Sequence, residues 1–138
     1  MKVFLGGTCN ESAWRDHLIK HLTIDYFNPV VDDWTEDCMD EEIKQRENCD
    51  ICLYAITPKM TGVYSIAEVV DDSNKRPNKT VFCVFELENN GDRFTDGQLK
   101  SLKQVSKIVE LNGGKSFSVS CYEDIVKIAD YLNTLRVA

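Results

Sequence analysis

The stretch ICLYAITPKMTGVYSIAEVVDDSNKRPNKTVFCVF, residues 51–85, decides the fold. Its two ends, Ile51 to Ile56 and Thr80 to Phe85, are near-continuous apolar runs, the pattern of strands covered on both faces in a parallel sheet. Thr57 and Pro58 stop the first run, and Gly62 to about Asn74 has the length and spacing of a helix. Parallel neighbours need a crossover, so the stretch reads as strand, helix, strand with a right-handed connection. With about 100° between successive residues, Val63, Ile66, Ala67 and Val70 point one way on that helix. Tyr64, Glu68 and Asp71 lie along its flank, which puts Glu68 at the edge of the core.

The alternation continues outward in both directions. KVFLGG (2–7) is an apolar run closed by two glycines, and Ser12 to Leu22 carries Trp14, Leu18 and Leu22 at helical spacing. Asp25 to Val31 supplies another strand, and Thr35 stands where it can cap a charged helix from Glu36 to Asn48. After Phe85, the polar segment Glu86 to Gly97 reads as a loop and Gln98 to Leu111 as a helix ended by Asn112, Gly113 and Gly114. Phe117 to Ser120 reads as a fifth, weaker strand, and Glu123 to Leu135 as a last helix with an Ile125, Ile128, Ala129, Leu132 stripe. The expected fold is α/β: a flavodoxin-like open sheet of about five mostly parallel strands, order 2-1-3-4-5, with helices on both faces. Residues 1–138 fit a single domain of ordinary size.

Composition narrows the partners. A net charge of −7, with basic residues scattered, argues against polymeric nucleic acid, whereas one helix N-terminus can still hold one phosphate of a small nucleotide. No apolar run approaches the roughly 18 residues of a membrane span, so no membrane partner is expected. MKVFLGG reads as a strand and not as a signal peptide, and a cytoplasmic location is the expectation. The six cysteines are read as mostly free thiols. Cys49 and Cys52 form a CxxC, but one that closes a helix and enters a strand, the reverse of a redox pair, and without two further zinc ligands. His17 and His21 sit one helical turn apart with no third ligand in the manner of HExxH, so they read as a solvated flank and no metal site is expected.

In open α/β sheets ligands bind beyond the carboxyl ends of the strands where the strand order reverses, here between strands one and three. That rule selects the loops Gly6 to Ser12, Asn28 to Trp34 and Thr57 to Ser65. Gly6 and Gly7 let backbone approach a ligand, and Thr8 and Asn10 offer hydrogen bonds, although a plain turn explains the same residues. Trp34 can stack a nucleobase or cap the sheet edge. Asn28, Gly62 and Ser65 complete the expected binding set. Glu68 is either a surface acid eased by the helix dipole or a carboxylate at the mouth of the crevice, able to attack or stabilise an electrophilic sugar carbon, with Tyr64 one turn earlier to orient it.

The segments KVFLGGT, IDYFNPVVDDW and CDICLYAITP followed by GVYSIAE resemble the nucleoside 2-deoxyribosyltransferase-like family, relatives of nucleotide N-glycosidases and, more distantly, of TIR domains. The resemblance covers residues 1 to about 85, and its most specific part is the run from Gly62 to Glu68. It implies a glutamate nucleophile at Glu68 that forms a glycosyl-enzyme ester, and a base- or sugar-handling aspartate at Asp50. It further implies a homodimer or larger homo-oligomer in which a neighbour's residues complete each site. Two positions depart from the pattern: Phe4 stands where the family commonly has a tyrosine, and Val69 follows the glutamate where glycine is frequent. The expected activity is cleavage or exchange of the N-glycosidic bond of a nucleoside or nucleotide, with no cofactor. Asp50, Asp33 and Asp71 are the candidates for protonating the leaving base. A nucleotide-binding module without turnover and a TIR-like NAD glycohydrolase are the alternatives.

Overall fold

The computed structural model describes residues 1–9, 11–31 and 33–135. Five strands, β1 (Lys2–Gly7), β2 (Asp25–Phe27), β3 (Ile51–Ile56), β4 (Thr80–Phe85) and β5 (Lys115–Val119), form one sheet in the order β2-β1-β3-β4-β5, and every pairing is parallel. The crossovers are α1 (Trp14–Ile19), α2 (Glu36–Asn48), α3 (Tyr64–Lys75) and α4 (Asp96–Leu111), and α5 (Ile125–Thr134) follows β5. The expected strand order and α/β class are those observed.

Side-chain alternation along the central strands divides the core in two. Val3, Leu5, Leu53, Ala55, Val81, Cys83 and Phe85 pack against Trp14 and Leu18 of α1 and against Ile125, Ile128, Ala129 and Leu132 of α5. Phe4, Cys52, Tyr54, Ile56, Phe82 and Val84 face the other way, against Val69 of α3 and Leu102 and Val109 of α4. Helices therefore cover both faces, and the buried runs at β3 and β4 follow from this double cover.

Several boundaries differ from the sequence expectation. Strand β2 stops at Phe27 instead of Val31. The Asn28 side chain accepts the Val30 amide at 3.0 Å, and Pro29 has no amide to extend the ladder. Helix α1 is shorter than Ser12 to Leu22 at both ends: Ser12 commits its hydroxyl to Glu88, while the His21 and Leu22 amides bond carbonyls three residues back, closing the C-terminus as a tight turn. Strand β5 is shifted two residues earlier than Phe117, because Lys115 pairs with Val81. A 3-10 turn over Tyr122–Asp124 replaces the expected first turn of the last helix. Thr35 precedes α2 without a capping hydrogen bond; its hydroxyl donates to Cys38 Sγ.

Helix α3 packs inward over a broader face than its apolar residues predict: Ile66 and Val70 are partly buried against the core as expected, but polar residues join them. Glu68, Val69, Asp72 and Ser73 are buried, whereas Val63 is 72% exposed and Ala67 is exposed. The inward carboxylates make this arrangement tolerable only because they are paired.

Candidate active site

Beyond the carboxyl end of β1 the last two residues are glycines for steric reasons. A Cβ on Gly6 would lie 2.7 Å from the Tyr54 ring, and Gly7, at φ +117°, would place one 2.0 Å from the Ala55 carbonyl oxygen. The turn that follows is fastened to β3: the Thr8 amide donates to Ala55 O at 2.9 Å, and the Thr57 amide donates to Thr8 Oγ1 at 3.0 Å. Arg15, reaching back from α1, clamps the same turn by donating to the carbonyls of Leu5, Thr8 and Gly7 at 2.9, 2.6 and 3.3 Å. Burial holds its pKa below the ordinary arginine value.

The clamped turn forms one wall of a cavity of about 440 Å³ between β1, α2 and α3, a size suited to a small organic ligand. Its lining is chiefly apolar and aromatic, from Phe4, Trp34, Met39, Ile43 and Tyr64, with Glu42, Arg46, Glu68 and Arg15 as the charged groups. A smaller cavity of about 150 Å³ shares Gly7, Cys9, Tyr64 and Ser65 with it and adds Thr8 and Gly62. The cavity lies beyond the carboxyl end of β1, the end of the sheet to which the strand-order rule points.

Glu68 is the carboxylate on the α3 wall, only 9% exposed. Arg46 Nη1 approaches Glu68 Oε2 at 3.5 Å. Burial pushes the Glu68 pKa up from 4.5 to about 7, with Arg46 pulling the other way and Glu42 and Asp72 adding to the rise. Behind it, Arg46 donates from Nε and Nη2 to the fully buried Asp72 at 3.3 and 2.9 Å and from Nη2 to Asp71 at 3.3 Å. Tyr54 and Arg76 also donate to Asp72. Burial opposes the charge on Arg46, yet its hydrogen bond to Asp72 and the surrounding anions keep its pKa above the ordinary value.

Of the residues expected from sequence, Gly6, Gly7, Trp34, Tyr64, Ser65 and Glu68 share the larger cavity, and Thr8 and Gly62 line the smaller one. Asn10 lies outside the described residues. Asn28 is in neither lining; its side chain closes the turn after β2. Asp50 needs correcting as a catalytic candidate. It precedes β3 at the amino end of the sheet and accepts the Lys2 amide at 2.8 Å, at the opposite end of the strands from Gly7 and Ala55. Tyr64 is 65% exposed and makes no hydrogen bond to Glu68, so the one-turn spacing does not translate into an orienting contact. Trp34 is 54% exposed, and its indole N–H donates to Glu42 at 3.3 Å, which sets the ring at the cavity rim. Asp33 is exposed and Asp71 pairs with Lys75 as well as Arg46, so neither lines the cavity, whereas Glu42 does.

Sequence reasoning passed over Arg46, Asp72, Glu42 and Arg15. Arg46 sits in a run of charges that reads as a solvated face, and Asp72 stands beside Asp71 with nothing in the spacing to tell them apart. Arg15 follows Trp14 on α1 with nothing in the sequence to mark it as an inward cation; the structure lays its guanidinium over the Trp14 ring. The described residues contain no cluster of three or more His, Cys, Asp or Glu fit to hold a metal ion. Cys49 and Cys52 are free and buried, with the Cys52 thiol pushed up to about 12 by burial, and His17 packs edge-on against Tyr122.

No curated protein and no solved structure matches the chain. A family model described as nucleoside 2-deoxyribosyltransferase like matches residues 1–87, the segment that carries β1 through β4, the cavity and Glu68. By that match the chain belongs to the nucleoside 2-deoxyribosyltransferase-like family.

Proposed function

We propose that this protein breaks the N-glycosidic bond of a nucleoside or nucleotide, or exchanges the base across it, with Glu68 as the nucleophile. The observation that carries this reading is a nearly buried carboxylate fronting a nucleoside-sized cavity with aromatic walls. As the bond from C1′ to the base nitrogen breaks, its electron pair leaves with the base and positive charge builds on the sugar. The Glu68 carboxylate opposes that charge at low cost in water reorganisation and then bonds to C1′ as an ester. Water or a second base next attacks C1′ and frees the carboxylate, so hydrolysis and exchange differ only in the acceptor. The departing nitrogen takes up a proton, and Glu42, the other carboxylate on the cavity wall, fills the donor role that sequence spread over Asp50, Asp33 and Asp71.

A second reading, a binding module without turnover, is favoured by one observation: Phe4 puts an aromatic ring and no hydroxyl on the β1 wall. Incubation with deoxyribonucleosides, ribonucleosides, their monophosphates and NAD separates the readings. The enzyme releases free base, and Glu68→Ala lowers that rate by roughly a thousandfold or more. Release of nicotinamide alone marks a TIR-like reaction. Absence of base from every compound, with calorimetric binding unaltered in Glu68→Gln, defeats the catalytic reading and leaves the binding module.

A further inference from the structure

The guanidinium of Arg46 has three nitrogens and two buried clients. Nε and Nη2 bind the two oxygens of Asp72 side-on, and Nη1 is left to face Glu68 at 3.5 Å. A bidentate pair of this kind fixes the plane of the guanidinium, so the direction of Nη1 is decided at Asp72 and not at Glu68. Asp72 is itself over-determined: it has no exposed surface, and its remaining lone pairs take the Tyr54 hydroxyl and Arg76 Nη1. Tyr54 belongs to the central strand β3 and Arg76 ends α3, so the cluster is anchored on two rigid elements. None of Tyr54, Asp72 and Arg76 lines the cavity.

We propose that Asp72, held by Tyr54 and Arg76, is a positioning residue that aims the Arg46 guanidinium at Glu68 and limits how much of its charge Glu68 receives. The proposal rests on Glu68 as the working carboxylate, but its test is independent of turnover. The charged groups acting on Glu68 are Arg46 and Glu42 from α2 and Asp72 from its own helix, while Asp71 shares Arg46 Nη2 and Tyr64, Arg15 and Cys9 line the same cavity. Of these, Arg46 is the cation within ion-pair distance of Glu68. Competition between two acids for one cation gives opposite signs on the two sides. Removing the competitor, as in Asp72→Asn, gives Glu68 more of Arg46 and moves its titration to lower pH. Removing the cation, as in Arg46→Gln, moves it to higher pH. Tyr54→Phe changes no charge but takes one donor from Asp72, which then draws harder on Arg46, so Glu68 again moves upward.

The measurement is the side-chain carbon resonance of Glu68 in protein labelled at glutamate, assigned by its loss in Glu68→Gln and followed across pH, with thermal unfolding of each variant to confirm the fold. Opposite displacements of roughly half a pH unit or more in Asp72→Asn and Arg46→Gln are the expected result. Where base release is measurable, kcat in Asp72→Asn falls although its rising pH limb moves to lower pH, because the guanidinium no longer holds its aim. Should Asp72→Asn not fold, Tyr54→Phe and Arg76→Gln, which keep the Arg46 pair with Asp72, decide by upward displacement. A Glu68 titration that Arg46→Gln moves and folded variants at Asp72, Tyr54 and Arg76 leave in place overturns the proposal and reduces Asp72 to packing. Failure of catalysis with the titration signature intact would instead fault the enzymatic reading alone.

Discussion

At Glu68 a single residue carries opposing demands. The attack on a sugar carbon proposed for it needs the carboxylate ionised, and burial resists that ionisation, so its pKa rises from 4.5 to about 7. The sign for stability follows from proton binding. Below the unfolded value both states are protonated; between about 4.5 and about 7 the unfolded chain ionises while the folded one does not, so folding loses stability as pH rises through that window. Glu68→Gln removes the loss, and denaturant unfolding is expected to show the variant gaining on the parent between pH 4 and pH 8 by about 3 kcal/mol. A parent and variant that run parallel across this range would contradict the assigned burial of the charge. The same titration predicts that any base release rises with pH around 7. Glu68 was legible as a candidate through the resemblance of the run Gly62 to Glu68 to the family pattern, since spacing alone fits a surface acid equally well. Its partner Arg46 was not: ion pairs between helices distant in sequence have no local spacing to betray them.

Among the elements, the strands were the most readable and the helix faces the least. β1, β3 and β4 begin and end where their apolar runs do, since strands buried on both sides show as unbroken apolar stretches. β2 and β5 sit at the sheet's edges, where one ladder neighbour and partial exposure leave room for polar residues, and their bounds shifted accordingly. Helix α3 was read in part, since Ile66 and Val70 do pack against the core, but apolar periodicity assumes that only apolar side chains go inward. Here Asp72 and Ser73 do, each partnered: Ser73 donates to Val70 O at 2.7 Å and accepts from Asn112 at 3.0 Å. The opposite case is α4, whose start has a full capping box, with the Gln98 amide donating to Thr95 Oγ1 at 3.1 Å and the Thr95 amide donating to Gln98 Oε1 at 2.8 Å. Thr95→Ala is expected to cost about 1 kcal/mol of unfolding free energy in urea, with no effect on ligand binding at the cavity some distance away on β1.

For the molecule as a whole, the family match ends at residue 87, yet the fold does not. Ile125, Ile128 and Leu132 of α5 are each at most 2% exposed and close the face of the sheet that Trp14 and Leu18 share. At about 2 kcal/mol for each buried side chain, their removal consumes a stability comparable with that of a whole domain, about 5–15 kcal/mol. A chain ended at Gly114 is therefore expected to lose its cooperative thermal transition and to aggregate, as circular dichroism and size exclusion would show; a sharp transition would mean that β1 through β4 hold their core unaided. The later residues also reach the cavity's scaffolding. Glu88, buried, accepts from Ser12 at 3.0 Å and from Tyr122, and Ser12 in turn accepts from Thr57 at 3.2 Å, so the turns after β1 and β3 are tied to the C-terminal third. No helix among the described residues is long and apolar enough to cross a membrane.

Cys9 gives the cleft a chemical address. Of six unpaired sulfhydryls it alone is exposed, and it stands where the two cavities meet. A mild electrophile in limiting supply is expected to mark this thiol ahead of the less exposed ones, and shielding of that mark by an added compound would report that the compound occupies the cleft.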